Sequence, residues 1–322
     1  MIRFIIKRLL MLIPVMLGIT FIVFMLLSYA PGDPAELMLG PNANDESIAQ
    51  MREELGLDDP RLVRYFRYLG GLLKGDLGKS YKNNTSVADE IAERLPNTVI
   101  LASSAMVITV FIGIVVGIIS AKKQFSAFDN ISMVATLIGS SAPAFWLGLL
   151  FVIIFSLTLK WFPSSGMGEG LGPFLKSLVL PCLTIAISNA AVVARMTRSS
   201  MLEVMREDYV STARAKGISE GRVTRIHMLK NALIPVVTVI GVRFGALLGG
   251  SVMTETVFSW PGLGKHVVEA VQARDMPTVL GCVVVLSIIF SLVNLLVDVV
   301  YAFLDPRIKS QYRKAVKSSA KN

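Results

Sequence analysis

The chain contains 322 residues, of which 53% are hydrophobic and only 17% are charged, and its formal net charge is +9. A composition this apolar over this length excludes an ordinary soluble domain and indicates a polytopic membrane protein. The positive charge would suggest a nucleic-acid partner in a soluble protein, but here membrane topology explains it and we expect no such partner. Cys182 and Cys282 lie in apolar segments, and His227 and His266 lack ligand-like spacing, so no metal site is predicted.

Six apolar segments are each long enough to cross a hydrocarbon layer of about 30 Å. The first follows three basic residues, as in a signal peptide, but it is long and no small-residue cleavage pattern follows it. We therefore interpret it as a retained helix and predict an all-α polytopic membrane protein with six transmembrane helices. The segments lie at 9–30, 98–120, between 129 and 160, between 176 and 195, at 233–254 and at 278–304.

The distribution of lysine and arginine orients these segments. With the N-terminus in the cytoplasm, the cytoplasmic parts carry 19 Lys and Arg, whereas the two short outer loops carry 2 each. Because short cytoplasmic loops are enriched in basic residues, both termini are predicted to be cytoplasmic. The predicted regions are the first span with its N-terminal residues (1–30), an outer segment (31–97), a five-helix transmembrane core (98–304) containing a cytoplasmic loop (196–232), and a basic cytoplasmic tail (305–322).

The outer segment 31–97 is predicted to be structured. Ile48, Met51 and Leu55 have helical spacing before Gly56, and a second amphipathic helix is expected after Pro60. The run 78–80 ends like a phosphate-binding loop, but it lacks the first glycine and a preceding strand, so nucleotide binding is rejected there. We expect this segment and the turn after the fifth span to form an outer docking surface, with the turn contributing Trp260, Pro261, Gly262 and Gly264.

The polar stretch 207–235 is the most informative part of the chain. No helix breaker interrupts 208–216, and Gly217 follows where a left-handed C-cap is expected. Ser219 is predicted to cap a second helix, whose apolar stripe comprises Val223, Ile226, Leu229 and Leu233. The first helix is predicted to present small residues on one side, with Arg214 and Lys216 fixing the register against a partner; the small residues are Ser211, Thr212, Ala213 and Ala215. A plain basic loop is the alternative.

This stretch resembles the signature loop of binding-protein-dependent ABC importer permeases, a glutamate and two alanines followed by three residues and a glycine. Aligned on Gly217, Ser211 stands in the glutamate position and the proline falls late, at Pro235. The run DYVSTARAKG, with NALIP after it, is similar instead to the peptide and nickel branch of that family. Further runs of this kind are PAFWLG at 143–148, WFPSSG at 161–166, FSWPGLG at 258–264 and LDPRI at 304–308.

The resemblance implies a permease with the fold of type I ABC importers. It implies a heterodimer with a second permease subunit, one or two ATP-binding subunits and an extracytoplasmic substrate-binding protein. ATP and Mg²⁺ would be used by the partners, and no cofactor would be bound by this chain. The cargo expected for this branch is a di- or oligopeptide, with nickel or another small solute as the alternative. The residues implied to couple to the ATPase are Tyr209, Ser211, Thr212, Ala213, Arg214, Ala215, Lys216 and Gly217.

The fifth span carries a glycine stripe and a charge. Gly241, Gly245 and Gly249 recur every four residues, which favours close helix packing. Arg243 lies about 200° around the helix from Gly241, so it is predicted to face the translocation pathway. Ser140 is a second candidate pathway residue. Asp298 is a candidate pathway residue or a structural partner of Arg243.

Two other classes of function compete with a transport subunit. An intramembrane enzyme needs facing catalytic groups, but the sequence contains no HExxH or GxSxG motif and no paired intramembrane aspartates. We therefore predict no catalytic residue in this chain. A self-sufficient channel would not need the structured loop at 207–235. Turnover by the isolated chain, compared with loss of ATP-dependent uptake, distinguishes the enzyme from the transporter.

Overall fold

The computed structural model describes residues 2–29, 32–40 and 43–304 of the chain, so the predicted tail 305–322 lies outside the described residues. Throughout the described part the regular elements are helices, and an isolated antiparallel bridge joins Lys79 to Ser86. Two compact units are formed. The first comprises Met1–Ile100 and Leu248–Ser291, and the second comprises Leu101–Leu247 and the described residues from Leu292 onward.

Helices follow one another in the described chain with short connections. They are α1 (Ile2–Tyr29), α2 (Pro34–Leu39), α3 (Asp45–Glu54), α4 (Arg61–Leu73), α5 (Val87–Lys122), α6 (Ala127–Ser141), α7 (Ala144–Phe151) with a π-helical continuation (Val152–Thr158), α8 (Leu171–Val204), α9 (Asp208–Ala215), α10 (Glu220–Arg222) with a π-helical continuation (Val223–Met228), α11 (Leu229–Gly250), α12 (Val252–Val257), α13 (Leu263–Gln272) and α14 (Met276–Leu304).

Within the described residues, five helical stretches are long and apolar enough to cross a membrane, and a bent pair brings the number to six if it crosses as one span. This confirms five of the predicted spans. The third was predicted as one continuous segment, but Ala127–Ser141 and Ala144–Thr158 meet at 104°. Pro143 explains the break, because a residue before proline avoids the helical conformation and Ala142 is extended, with ψ 131°.

In the first unit, α4 packs against the apolar helix α1. The Tyr65 hydroxyl donates to the Leu17 carbonyl oxygen at 3.0 Å and lies 3.1 Å from the Thr20 hydroxyl. Phe24 packs against the same ring. The apolar face of this predicted amphipathic helix is mostly exposed, since Leu62, Phe66 and Leu73 lie at the surface and Tyr65 makes the internal contact. A polar group therefore anchors α4, and its apolar stripe is left on the surface.

The start of α5 belongs to the core of the first unit. Val87 and Ile91 are buried together with Leu263 of α13 and Cys282 of α14. Because α5 is one helix from Val87 to Lys122, this buried start runs directly into the second predicted span. The apolar side chains of the outer segment thus share a core with the helices after the fifth span.

In the second unit, two glycines let α5 press against α8. A Cβ added at Gly113 would lie 2.6 Å from the Val193 Cβ, and one at Gly117 would lie 2.7 Å from the Ala194 carbonyl oxygen. Real Cβ atoms do not approach so closely, so the two backbones meet where neither glycine has a side chain. Close approach of this kind is the usual role of small residues between membrane helices.

A buried ion pair joins α6 to α8 in the same unit. Arg198 donates to Asp129 through Nε at 2.6 Å and through Nη2 at 2.7 Å. Asp129 is almost fully buried and also accepts from the Phe125 backbone N–H. Removal of one member would leave the other charge uncompensated, which costs about 3–5 kcal/mol in buried pairs.

We predict that Gly113→Leu lowers the stability of the assembled protein, because the added side chain collides with Val193. Overpacking of this kind typically costs about 1–3 kcal/mol. Gly18→Leu is the matched control, since nothing lies within 4 Å of a Cβ at Gly18. Thermal unfolding in detergent should show a lower midpoint for the first variant alone, and equal midpoints for both would refute the packing argument.

Candidate functional site

The polar stretch between α8 and α11 folds as a short helix pinned to its own unit. Val210 and Ala213, three residues apart on α9, are buried against Met201, Val223 and Met228. Ala213 was predicted to lie on the small exposed side, and the structure places it on the inner face. The reason is the helical period, which puts residues 210 and 213 on one side and residues 211, 212 and 215 on the other.

The outward face of α9 consists of small side chains. Ser211, Thr212 and Ala215 are exposed, and Tyr209 borders them with an exposed ring. The Thr212 hydroxyl donates to the Asp208 carbonyl at 2.8 Å, so it is folded back onto the helix. The backbone of α9 is therefore open to close approach along this face.

A charged pair closes the turn after α9. Gly217 has a φ of +76°, which confirms the predicted left-handed C-cap. Across this turn the Arg214 Nε donates to Glu220 Oε1 at 2.7 Å. Arg214 was predicted to meet carboxylates of a partner, and in the described structure its carboxylate is Glu220 of the same chain. Lys216 remains exposed beside the turn.

After the turn, the helix runs without a break into the fifth span. Candidate span Glu220–Gly249 begins at α10 and continues through a π-helical stretch into α11. Ser219 is the N-cap residue of this helix, as predicted, but its side chain makes no capping hydrogen bond. The predicted stripe is wrong at Ile226, which is 52% exposed. A π-helix takes more residues per turn, so the inward positions shift to Val223, Thr224, Met228 and Ala232.

One hydrogen bond ties α9 directly to α11. Asn231 Nδ2 donates to the Tyr209 hydroxyl oxygen at 2.8 Å. Both residues belong to the runs that carry the family resemblance. Together with the pair across the turn, this contact joins the short helix to the long one at each end.

The glycine stripe of α11 packs as predicted at two of its three positions. Gly241 lies against the side chain of Val297, and a Cβ at Gly245 would lie 3.1 Å from the Asn294 amide nitrogen. Gly249 has open space around it. Arg243 is exposed on another side of α11. The Asp298 side chain lies outside the described residues.

Ser140 lies near the end of α6 and is held by an arginine of α8. Arg195 Nη1 donates to the Thr136 carbonyl oxygen at 3.1 Å and to the Ser140 hydroxyl oxygen at 3.3 Å. Arg195 was not singled out from the sequence, because it stands at the predicted boundary of a span where basic residues are common.

The turn after α12 is buried, which contradicts its predicted role as a docking surface. Trp260 is fully buried and its indole N–H donates to the Asn97 carbonyl oxygen at 3.0 Å. Gly262 and Gly264 are also buried, and a Cβ at either would collide with the Glu255 carboxylate. Only Pro261 is half-exposed. The aromatic and glycine residues of this turn are therefore core residues of the first unit.

Glu255 organises that turn and was missed by the sequence reading. Its Oε1 accepts from the hydroxyls of Thr98 at 2.9 Å and Ser251 at 2.8 Å. Its Oε2 accepts from the Lys265 backbone N–H at 2.9 Å. The signal available in the sequence was a lone carboxylate between two threonines at the end of an apolar segment.

A histidine lies in the same unit beside charged groups. His266 Nε2 is 2.8 Å from Glu90 Oε2. Burial lowers the pKa of His266 and the charge of Arg94 lowers it further, whereas the Glu90 carboxylate opposes both. His266 and Glu90 are both buried in the first unit.

Long apolar helices, with a polar, small-faced helix joined to one of them, define the class of the protein as a helical membrane protein. The chain belongs to the family of inner membrane components of binding-protein-dependent transport systems. The profile described as "Binding-protein-dependent transport system inner membrane component" matches residues 113–310. The corresponding N-terminal profile matches residues 1–102. The chain is thus a non-catalytic, multi-pass inner membrane subunit of an ABC importer, and membership implies an ATPase and a substrate-binding protein as partners.

Curated relatives match over nearly the whole chain. A dipeptide transport system permease protein of Alkalihalophilus pseudofirmus is 42% identical, over 96% of this chain and 100% of its own. A di/tripeptide transport system permease protein of Pseudomonas aeruginosa is 41% identical, over 97% and 100%. A glutathione transport system permease protein of Escherichia coli O6:H1 is 43% identical, over 96% and 99%.

Among solved structures, an inward-facing methionine ABC transporter shares the fold with a TM-score of 0.57. The two chains are 18% identical, and the match covers 67% of this chain and 96% of the other. At 18% identity this similarity supports the fold of the helical core alone.

We predict that Glu255→Ala destabilises the first unit, because it leaves the donors of Thr98, Ser251 and Lys265 unpaired. Each buried donor without a partner costs about 1–3 kcal/mol. Glu269→Ala is the control, since that carboxylate is 44% exposed and pairs only at the surface. Thermal unfolding of the purified assembly checks this, and equal midpoints for the two variants would show that the buried carboxylate is dispensable.

Proposed function

We propose that the chain is the membrane-spanning permease subunit of an ATP-driven importer of short peptides. It forms the pathway as a heterodimer with a second permease, while ATP and Mg²⁺ are used by partner ATPases. The observation that carries this proposal is the outward face of α9, small and open, on a helix fastened to the fifth span. The names of the relatives, which are dipeptide, tripeptide and glutathione permeases, support peptide cargo.

In the orientation that the charge distribution favours, α9 and both termini lie in the cytoplasm. An ATPase subunit then docks on the outward face of α9, through Ser211, Thr212 and Ala215. Ala213 is excluded from this face by its burial. Tyr209 and Lys216 border the contact.

Coupling follows from how α9 is attached. When ATP draws the ATPases together, a force on α9 passes to the fifth span by two routes. One is the Arg214–Glu220 pair across the turn, and the other is the bond from Asn231 to Tyr209. Because the helix from Glu220 is continuous into the membrane-spanning part, displacement at one end is transmitted along its length. The spans then alternate between inward-open and outward-open arrangements.

Arg243 is the charged residue of this chain that we place in the pathway. Its exposure on α11, away from the packed Gly241 and Gly245, supports this role. A guanidinium there would attract a carboxylate of a passing peptide. Ser140, held by Arg195, is proposed as a polar pathway group near the break between α6 and α7.

The substrate-binding protein is proposed to dock on the outer segment 31–97. The connection between α3 and α4 offers an exposed side chain there, Asp58, which is 64% exposed in its pair with Arg52. The Trp260–Gly264 turn supports this segment from inside the unit, since Trp260 holds the Asn97 carbonyl. The turn's role is thus positioning.

We predict that Ala215→Arg uncouples the transporter, because an arginine on the small face of α9 keeps the ATPase from close approach. Uptake of a labelled tripeptide into proteoliposomes, with ATPase and binding protein present, should fall by at least about tenfold, the equivalent of 1.4 kcal/mol. Ala127→Arg, the same change at an exposed alanine at the start of α6 and outside every docking surface proposed here, should leave uptake unchanged. Wild-type uptake by a correctly inserted Ala215→Arg protein would show that this face is no docking site.

We predict that Arg243→Gln changes cargo preference without affecting assembly. The preference for a tripeptide over its C-terminally amidated form should shrink by about tenfold, as expected for losing a hydrogen bond to a charged group. Arg243→Lys, which keeps the charge, should retain most of the preference. If Arg243→Gln fails to assemble and Asp298→Asn restores assembly, Arg243 forms a structural pair with Asp298 and does not bind cargo.

A further inference from the structure

A cavity of about 180 Å³ lies in the first unit where the ends of two candidate spans meet the outer segment. Ser28, near the end of α1, and Met276, at the start of α14, line it. Its other polar lining residues are Asp33, Arg52, Arg64 and Arg274. Three guanidinium groups thus share one small space with a single carboxylate.

The carboxylates near this cavity are already engaged. Arg52 donates to Asp33, and its Nη2 lies 2.6 Å from Asp58, so Arg52 is neutralised within the chain. Asp275 follows Arg274 in sequence, but its oxygens accept from the Ser80 hydroxyl and, at 2.8 Å, from the Thr278 hydroxyl. Among the described ion pairs none involves Arg64 or Arg274. These two arginines therefore give the cavity its excess positive charge.

The backbone is shaped to hold Arg274 in place. Gly32 has a φ of +115°, which favours glycine, and a Cβ there would collide with the Arg274 guanidinium. Arg274 itself has a φ of +55°, an uncommon conformation for a residue with a side chain. On the other side, Arg64 contacts the Tyr81 hydroxyl. The Ser28 hydroxyl is buried and has no hydrogen-bond partner in the described structure.

The surroundings of the cavity are those of a membrane interface. Helix α1 and the first part of α14 are candidate spans, and the lining residues stand at their ends, where lipid headgroups lie. Tyr29 and Arg61 stack there, with the guanidinium carbon 4.3 Å from the ring centroid. Leu26 and Phe66, on α1 and α4, are exposed and offer apolar surface to acyl chains.

We propose that this cavity binds the phosphate of an anionic phospholipid, with Arg64 and Arg274 as the charged ligands and the Ser28 hydroxyl as a further donor. Arginine suits this role because its planar fork of donors matches phosphate oxygens. The bound lipid would join α1, α4 and the start of α14 at the membrane surface. The proposal uses no residue that we assign to the peptide pathway or to the α9 face, so its test does not depend on either.

Native mass spectrometry of the purified importer complex tests the proposal. The complex is titrated with phosphatidylglycerol, with phosphatidylcholine of the same acyl chains, and with inorganic phosphate. Phosphatidylglycerol should be retained preferentially, and the double variant Arg64→Gln, Arg274→Gln should weaken its binding by about tenfold or more, since hydrogen bonds to a charged group are lost. Arg67→Gln on the same helix is the matched control, because Arg67 pairs with Asp59 and does not line the cavity.

Three outcomes would overturn the proposal. They are equal retention by the double variant and the wild type, equal binding of the two lipids, and displacement of phosphatidylglycerol by millimolar phosphate, which would indicate a site for a free anion. If the double variant does not assemble, photo-crosslinking of wild type with a headgroup-labelled phosphatidylglycerol decides. Crosslinks at Ser28, Arg64 or Met276 support the site, and their absence rejects it.

Discussion

The whole structure depends on one constraint, which is that polar groups carried into apolar surroundings must find their partners within the chain. Asp129 meets two nitrogens of Arg198, Glu255 collects three donors, and the Tyr65 hydroxyl reaches a carbonyl of α1. The pair of Asp129 with Arg198, the bond from Thr98 to Glu255 and the bond from Tyr65 to Leu17 join elements that are distant in sequence. The polar groups of the interior therefore specify which helices touch, while apolar packing alone would tolerate many arrangements.

A second principle concerns the join between the polar and the membrane-spanning parts of the second unit. A short helix that merely rested on the protein would move without moving anything else. Here α9 is buried on one face, clamped across its turn by Arg214 and Glu220, and bonded to Asn231. The exposed face of α9 is therefore attached to a continuous helix. Because of this attachment, a displacement of α9 would be passed on to the fifth span.

Several features were predictable from the sequence because their causes are local. Gly217 predicts a left-handed turn because glycine adopts that conformation easily. Gly241 predicts close helix packing because it has no side chain. The break before Pro143 had a visible local cause, and the prediction of one continuous span there ignored it. The π-helical shift that exposes Ile226 has no such signal, because a stripe drawn on the sequence assumes 3.6 residues per turn.

The misplaced residues have a different cause. Tryptophan and glycine beside a span are typical of interfacial anchors and turns, so Trp260 and Gly262 were assigned to the surface. Gly262 is buried against Glu255, and Trp260 is held by the Asn97 carbonyl. Asn97 is distant from Trp260 in sequence, so this contact forms only in the folded chain. For the same reason Arg195 and Arg64 could not be assigned from sequence, since a basic residue near a span boundary serves topology, pairing or binding equally well.

The close contact of α5 with α8 has a mechanical consequence. The close contact at Gly113 and Gly117 opposes sliding of α5 along α8. The pair between Asp129 and Arg198 extends the same locked body to α6. Within this unit we therefore expect α5, α6 and α8 to move together as one rigid group. The kink at Ala142 and Pro143 lies beyond the Asp129–Arg198 pair, and there the helical hydrogen-bond pattern is interrupted because proline has no N–H to donate.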